Sequence, residues 1–339
     1  MESVEQPMAW SRVFNFDDPF PFQQSIRGSD NKLLLTKKGD FRAELTQVTF
    51  NRLMMQRFDV TLPQVYTSQI TSGRRVIAFL TGEQPTFLHR GRDLSLNEIV
   101  VCNYDVVHHR TEGDCRFGAM SLAPGDFEAA CRAIAGDEFS GVELEYLVRP
   151  SSVLMRQLQQ QHELIGRMAI ATPNLFELPE VARALEHNIT YTMIKCLTEG
   201  LTSKVEGANH RHGRIVARFE EFLEANPVQP LYLADICTAI GVAERTLRVA
   251  CEEHLGMGPI RYLTLRRLHL VRRALLRADP SCSTVTKIAT DHGFWELGRF
   301  AAAYRTMFGE PPSITLRRFA EDNYGFDHLT SPATVSFSD

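Results

Sequence analysis

The sequence predicts an α+β chain whose first half is antiparallel and β-rich and whose second half is all-helical. Three observations carry that expectation. Short runs rich in Val, Ile, Phe and Thr follow one another from residue 41 to 122, apolar residues then recur every three or four positions, and residues 211–318 contain one helical pattern twice. With 44% hydrophobic and 23% charged side chains over 339 residues, the composition is that of a globular protein with room for about two domains.

Taken in order, residues 1–40 read as irregular, with Asp17-Asp18-Pro19-Phe20-Pro21-Phe22 as an extended, proline-broken stretch. The N-terminal segment lacks the basic and apolar regions of a secretory leader, and no window approaches the ~18 consecutive apolar residues of a membrane span. Seven cysteines are scattered and never form a CxxC pair. That pattern points to free thiols in a reducing compartment rather than to zinc or disulfides, so the expected location is cytoplasmic, with no membrane partner. Strands are expected at 41–50, 57–62, 65–70, 74–80, 86–89, 99–101 and 115–122, punctuated by Gly73, Gly82, Gly91, Asn103 and Gly113. Their close spacing favours an antiparallel barrel or a double-sheet jelly roll. Helices follow at about 126–135, with Asp126 as N-cap, and at about 153–168. A third spans 178–201, where Leu178, Val181, Leu185, Ile189, Met193, Leu197 and Leu201 form one stripe. Such a stripe is either core against its own domain or the face of a self-pairing helix. Residues 202–210 read as a linker.

The repeat carries the functional reading. Ile236-Cys237-Thr238-Ala239-Ile240-Gly241 reappears as Ile288-Ala289-Thr290-Asp291-His292-Gly293, and Thr264-Leu265-Arg266-Arg267 as Thr315-Leu316-Arg317-Arg318. Between them, Gly256-Met257-Gly258-Pro259 matches Gly309-Glu310-Pro311-Pro312. Each copy has the grammar of a helix-turn-helix: an apolar helical face, a glycine for the turn (Gly241, Gly293), an apolar plug (Val242, Phe294), then a second helix. That second helix starts near Glu244 in the first copy and near Glu296 in the other, where Phe300, Tyr304 and Phe308 anchor it. A connecting helix, 260–276, opens after Pro259 and stops before Pro280. Charge follows the same division. Residues 208–320 carry 16 Lys+Arg against 11 Asp+Glu, residues 1–207 carry 21 against 26, and the remainder from Glu321 has 0 against 4. A basic segment in an acidic chain hints at a polyanionic partner.

The run Gly-Phe-x5-Phe-x3-Tyr-x3-Phe-Gly-x2-Pro, from Gly293 through Phe294, Phe300 and Phe308 to Pro312, resembles the signature of the AraC/XylS transcription regulators. The resemblance covers about 105 residues. Gly293-Phe294-Trp295-Glu296-Leu297-Gly298-Arg299-Phe300 and Pro312-Ser313-Ile314-Thr315-Leu316 are similar to the branch containing the ethanolamine-utilisation operon activator. The resemblance implies a double helix-turn-helix DNA-binding domain at 207–319 joined to a cupin-like sensor domain at 1–150. A helical dimerisation or linker segment at 151–206 and a mobile acidic tail at 320–339 complete the expected layout. It implies double-stranded DNA, RNA polymerase and a small-molecule effector as partners, a possible homodimer through 151–206, and no enzymatic activity. No cofactor is expected; ethanolamine with adenosylcobalamin enters as a possible effector by the resemblance alone, and its binding residues are unknown.

A helix-turn-helix presents the exposed residues of its second helix to base edges. By the resemblance, the base-contacting positions fall on Arg245 and Arg248 in the first module and on Arg299, beside Gly298 and Ala302, in the second. Arginine can donate two bonds to guanine O6 and N7; phosphate contact is the alternative for each. Ser283, Thr284 and Lys287 are phosphate candidates, as are Arg266 and Arg317, which recur at equivalent positions and could instead pair with the neighbouring module. Trp295 is expected as a buried staple, with the sugar–phosphate edge as the alternative. His108-His109-Arg110-Thr111-Glu112 superficially resembles a cupin metal motif. However, neighbouring strand residues face opposite ways, so no metal site is expected there. His89, Cys102 and Cys115 read as packing or surface residues. Two other readings of the first half remain: an interaction module without ligand, or a metalloenzyme attached to a DNA-binding unit.

Overall fold

The structure, a computed structural model, describes residues 9–71, 73–102, 106–136, 146–204, 208–226 and 231–317. The expected acidic tail at 320–339 and Arg318 lie outside them. The N-terminal half contains β1 (Trp10–Phe16), α1 (Pro19–Ser25), β2 (Ser29–Leu35), β3 (Ala43–Thr49), β4 (Met54–Val60), β5 (Gln64–Ile70), β6 (Arg75–Leu80) and β7 (Phe87–His89). It continues through β8 (Arg92–Asp93), β9 (Ile99–Cys102), β10 (Val107–Thr111), β11 (Cys115–Leu122), α2 (Pro124–Ala135), β12 (Tyr146–Arg149), α3 (Ser152–Ala171), α4 (Pro179–Glu199) and β13 (Leu201–Lys204).

The strands form two antiparallel sheets, one ordered β1-β3-β4-β11-β6-β9-β12-β13 and the other β2-β5-β10-β7-β8. Alternation divides each strand between two environments. In the larger sheet Gln56, Phe58, Phe117, Ala119 and Ala78 face inward, towards Gln64, Tyr66 and His109 of the smaller one, and together they wall a cavity. Met55, Ile77, Phe79, Ile99 and Met120 face the other way and form a core with Met155, Leu158, Ile165, Ile189, Met193 and Leu197 of α3 and α4. The apolar stripe of α4 is therefore spent mainly on its own domain, although Leu178 at its start is 50% exposed.

The first 40 residues depart from expectation. They form a strand, a helix and a second strand, because Asp18 accepts the Phe20 N–H at 2.7 Å and caps α1. Pro19 and Pro21, which looked like breakers, sit in the first turn, where a proline's missing N–H removes no helical bond. Asp126 is not the N-cap of α2; Ala123 holds that position without a side-chain bond, with Pro124 opening the helix and Asp126 in its first turn. Residues 202–204, expected as linker, pair with β12 and form the edge strand of the larger sheet.

The C-terminal half is helical throughout: α5 (Ala208–Ala225), α6 (Leu233–Ile240), α7 (Glu244–Leu255), α8 (Pro259–Arg277), α9 (Val285–Asp291) and α10 (Leu297–Phe308). No helix among the described residues is long and apolar enough to cross a membrane.

Candidate nucleic-acid interface

Two modules share α8. Val216 and Phe219 of α5, Ile236 of α6, Leu247 and Cys251 of α7 and Tyr262 and Leu263 of α8 make the first core. Leu268, Val271 and Leu275, further along α8, make the second with Ile288, Phe300 and Tyr304. A helix that walls both cores ties the two modules together.

The turns repeat in detail. Gly241 has φ +65° and Gly293 φ +80°, a backbone region in which a Cβ is strained. The next N–H closes each turn in the same way, Val242 onto Cys237 O at 3.0 Å and Phe294 onto Ala289 O at 3.0 Å. Phe294, Phe300, Tyr304 and Phe308 form a ladder with centroids 4.9, 5.7 and 4.6 Å apart, and the Tyr304 hydroxyl donates to Thr315 Oγ1 at 2.9 Å. Pro312 is buried.

This frame leaves Arg245 and Arg248 exposed on α7 and Arg299 exposed on α10. Arg248 donates to Glu244 at 2.7 and 2.9 Å, and Arg299 lies 2.9 Å from Glu296. These pairs lie within one helix turn and are open to water, so each is worth only a few tenths of a kcal/mol and yields readily to a stronger anion. Gly298 and Ala302 are exposed beside Arg299. Trp295, in the turn before α10, is 69% exposed rather than buried, and Phe294 and Phe300 fill the core in its place.

At the start of the second module, Thr284 caps α9 by accepting the Lys287 N–H at 3.2 Å, with Ser283 beside it. Lys287 is exposed and pairs with Asp291 at 2.7 Å. The two repeated arginines part company. Arg266 is half-buried and donates to Leu223 O at 3.2 Å, the end of α5, whereas Arg317 is exposed.

A seam joins the two halves of the chain, and its centre is Glu220 on α5. Glu220 is buried; its Oε2 accepts from His108 Nε2 at 2.6 Å, Oε1 accepts from the Tyr262 hydroxyl, and Thr67 Oγ1 lies 3.3 Å away. Burial alone would raise this carboxyl, but His108 and Tyr262 outweigh it and hold it below the usual carboxylate range. Nearby, Arg110 of β10 donates to Glu252 O at 3.3 Å, near the end of α7. Arg272 of α8 lies 3.4 Å from Asp18 and 3.3 Å from Glu310, and Arg273 and Arg277 stack on Phe20.

His108 thus points to the helices while His109 lines the cavity, on opposite faces of β10. Among the described residues no group of three or more His, Cys, Asp or Glu is placed to hold a metal ion. Sequence reasoning missed Glu220 and the seam contacts of Asp18 and Phe20. A lone glutamate on an amphipathic helix carries no local signal, because its partners lie 42 to 153 positions away.

Comparison with known proteins finds relatives of the helical half. A helix-turn-helix domain family matches residues 236–318. The probable thc operon regulatory protein of Rhodococcus erythropolis is 37% identical over 147 residues, 40% of this chain and 43% of that protein. The XylDLEGF operon transcriptional activator 2 of Pseudomonas putida is 35% identical over 121 residues, 35% of this chain and 77% of that protein. A solved probable AraC family transcriptional regulator from Rhodopseudomonas palustris CGA009 is 36% identical, covering 31% of this chain and 97% of its own, with a TM-score of 0.29. The chain spans less than half the length of the first of these relatives. It belongs to the AraC family of transcriptional regulators.

Proposed function

We propose that the chain is a sequence-specific DNA-binding regulator of a catabolic operon, acting in the cytoplasm as an activator with RNA polymerase and responding to a small molecule held between the two sheets. The single observation that carries the DNA-binding part is the duplicated turn, which exposes Arg245, Arg248 and Arg299 from the second helices of two modules sharing one connector. Two such helices can enter successive major grooves, so a single chain reads an asymmetric site of about two helical turns. Exposed Lys287 and Arg317 are then the phosphate candidates, Lys287 by exchanging its water-exposed pair with Asp291, and Trp295 joins them as a candidate for the backbone edge. The layout of 1–150 as sensor, 151–206 as helical segment and 207–319 as DNA-binding domain suits this reading. Exposed Leu164, Ile170, Leu178 and Tyr191 on the helical segment support a homodimer through it.

The effector reading rests on the cavity. Among the described residues no carboxylate lines it to receive an ammonium group, and its free volume of about 80 Å³ is far below the bulk of a corrinoid, so the ethanolamine and adenosylcobalamin pair has no support there. Selection of randomised duplex DNA by the full chain tests the proposal. An enriched asymmetric site of about two turns is expected, with Arg299→Ala relaxing one base pair by about 1–3 kcal/mol of discrimination. Failure to enrich any sequence sinks the reading, and uniform weakening by Arg299→Ala reduces Arg299 to a phosphate contact.

A further inference from the structure

The cavity between the sheets has chemistry specific enough to name an occupant. Its aromatic wall comes from both sheets. Phe117 stacks on Phe58 at 4.3 Å with the rings 13° from parallel, and Phe87 and Tyr66 approach Phe117 at 6.0 and 6.4 Å. His109 closes the cluster, 5.3 Å from Phe87 and 5.8 Å from Tyr66.

Most of the polar groups along the wall are already spent within the protein. Gln56 is bonded on both ends to the Arg27 backbone, the Tyr66 hydroxyl donates to Asn31, Thr111 Oγ1 accepts the Gln64 N–H at 3.2 Å, and His109 Nδ1 faces His89 Nδ1 at 3.4 Å. The Gln64 side chain is different. It is 3% exposed and lines the cavity, and its Oε1 is buried with no hydrogen-bond partner. A stranded buried amide oxygen calls for a donor from whatever occupies the space.

Charge narrows the class further. Among the described residues no Asp or Glu lines the cavity, and the one cationic side chain on it, Arg27, is exposed and stacks on Trp10 at 4.8 Å. Burial pushes the His109 imidazole down to about 3 and so keeps it neutral. An ion of either sign would lose its water with no buried partner in return. The free volume of about 80 Å³ is smaller than the ~150 Å³ of an engineered apolar cavity that takes benzene, so one ring already requires the walls to give slightly.

We propose that the cavity binds an uncharged single-ring compound bearing a hydroxyl, its ring against Phe117 and its hydroxyl on the Gln64 amide. A hydroxyl both donates and accepts, so it satisfies that amide in either orientation. The proposal rests on the sensor reading above and gives that reading a ligand class.

The test is calorimetric titration of the full chain with phenol, benzene, 2-naphthol, benzoate and ethanolamine. Phenol should bind at one site per chain, about tenfold tighter than benzene, and benzoate, ethanolamine and 2-naphthol should bind at least tenfold more weakly than phenol. Gln64→Leu should erase the difference between phenol and benzene while keeping benzene binding. Ala119→Leu, which fills the cavity from the opposite sheet, should abolish both and keeps the test open if Gln64→Leu fails to fold. Preferred binding of benzoate, ethanolamine or 2-naphthol, an undiminished phenol preference in Gln64→Leu, or no binding by any probe overturns the ligand class. The sensor reading fails separately: phenol then binds as described, but the affinity for the selected DNA site and transcription from it stay unchanged when the ligand is present.

Discussion

Glu220→Leu is the substitution that most directly tests how the two halves are held. The carboxylate sits between β5, β10 and α8, accepting from His108 at 2.6 Å and from the Tyr262 hydroxyl, with Thr67 at the margin of bonding distance. Leucine leaves the imidazole N–H and the phenol O–H stranded where neither meets water, and each stranded donor costs about 1–3 kcal/mol. The expected loss is about 2–5 kcal/mol of unfolding free energy, read by urea denaturation of the full chain. If the polar set causes the loss, removing all of it should restore most of the stability. In the triple variant His108→Leu, Glu220→Leu, Tyr262→Phe no donor is left behind, and wholly apolar replacements of buried polar groups are often neutral. A loss below about 1 kcal/mol in the single variant, or a triple variant no better than the single, refutes the reasoning.

Three other outcomes follow from particular groups. Phe300→Ala removes the central ring of the second module's ladder and should cost about 3–5 kcal/mol, measured by denaturation. Gly293→Ala forces a Cβ into φ +80° and should cost about 1–2 kcal/mol; an unchanged midpoint shows that the turn does not need glycine. Burial holds His109 and His162 down to about 3 and His269 down to about 4, so they stay neutral in the folded chain while the unfolded chain takes up protons below about 6.5. The unfolded state then binds more protons, so stability falls as pH drops from about 6.5 towards 4, by on the order of 1 kcal/mol per histidine per pH unit. Thermal midpoints that stay flat across that window contradict the neutral assignment.

The helical half was more legible than the β-rich half, for physical reasons. Helix-turn-helix geometry is local: Gly241 and Gly293, the plugs that follow them and the ladder from Phe294 to Phe308 all lie within a few turns of one another. Strand pairing is not local, and the short strands β8, β12 and β13 owe their existence to neighbours rather than to their own composition. The segment 17–22 misled because two prolines look like breakers until Asp18 is seen to cap a helix that begins at Pro19. Trp295 misled because the neighbouring Phe294 and Phe300 already fill the space a staple would take. The aromatic wall of the cavity was invisible along the chain, since Phe58, Tyr66, Phe87, His109 and Phe117 come from five different strands.

The cavity and the seam are two faces of the same two strands. Along β5, Gln64, Tyr66 and Ser68 line the cavity while Thr67 approaches Glu220, and Val65 joins the core of the first helical module. Along β10, His109 and Thr111 line the cavity while His108 bonds Glu220 and Arg110 reaches Glu252 near the end of α7. A strand cannot shift to accommodate a ring on one face without moving the side chains on the other, because the pleat fixes their alternation. Tight packing makes such a shift a change between discrete arrangements rather than a smooth deformation. Occupancy of the cavity would therefore be felt first at Glu220 and at the end of α7, the helix that presents Arg245 and Arg248. If that is the path, the variant that loosens Glu220 should weaken the effect of phenol on DNA affinity while leaving its binding to the cavity intact. Substitutions on α10, which carries none of these side chains, should leave the coupling unchanged.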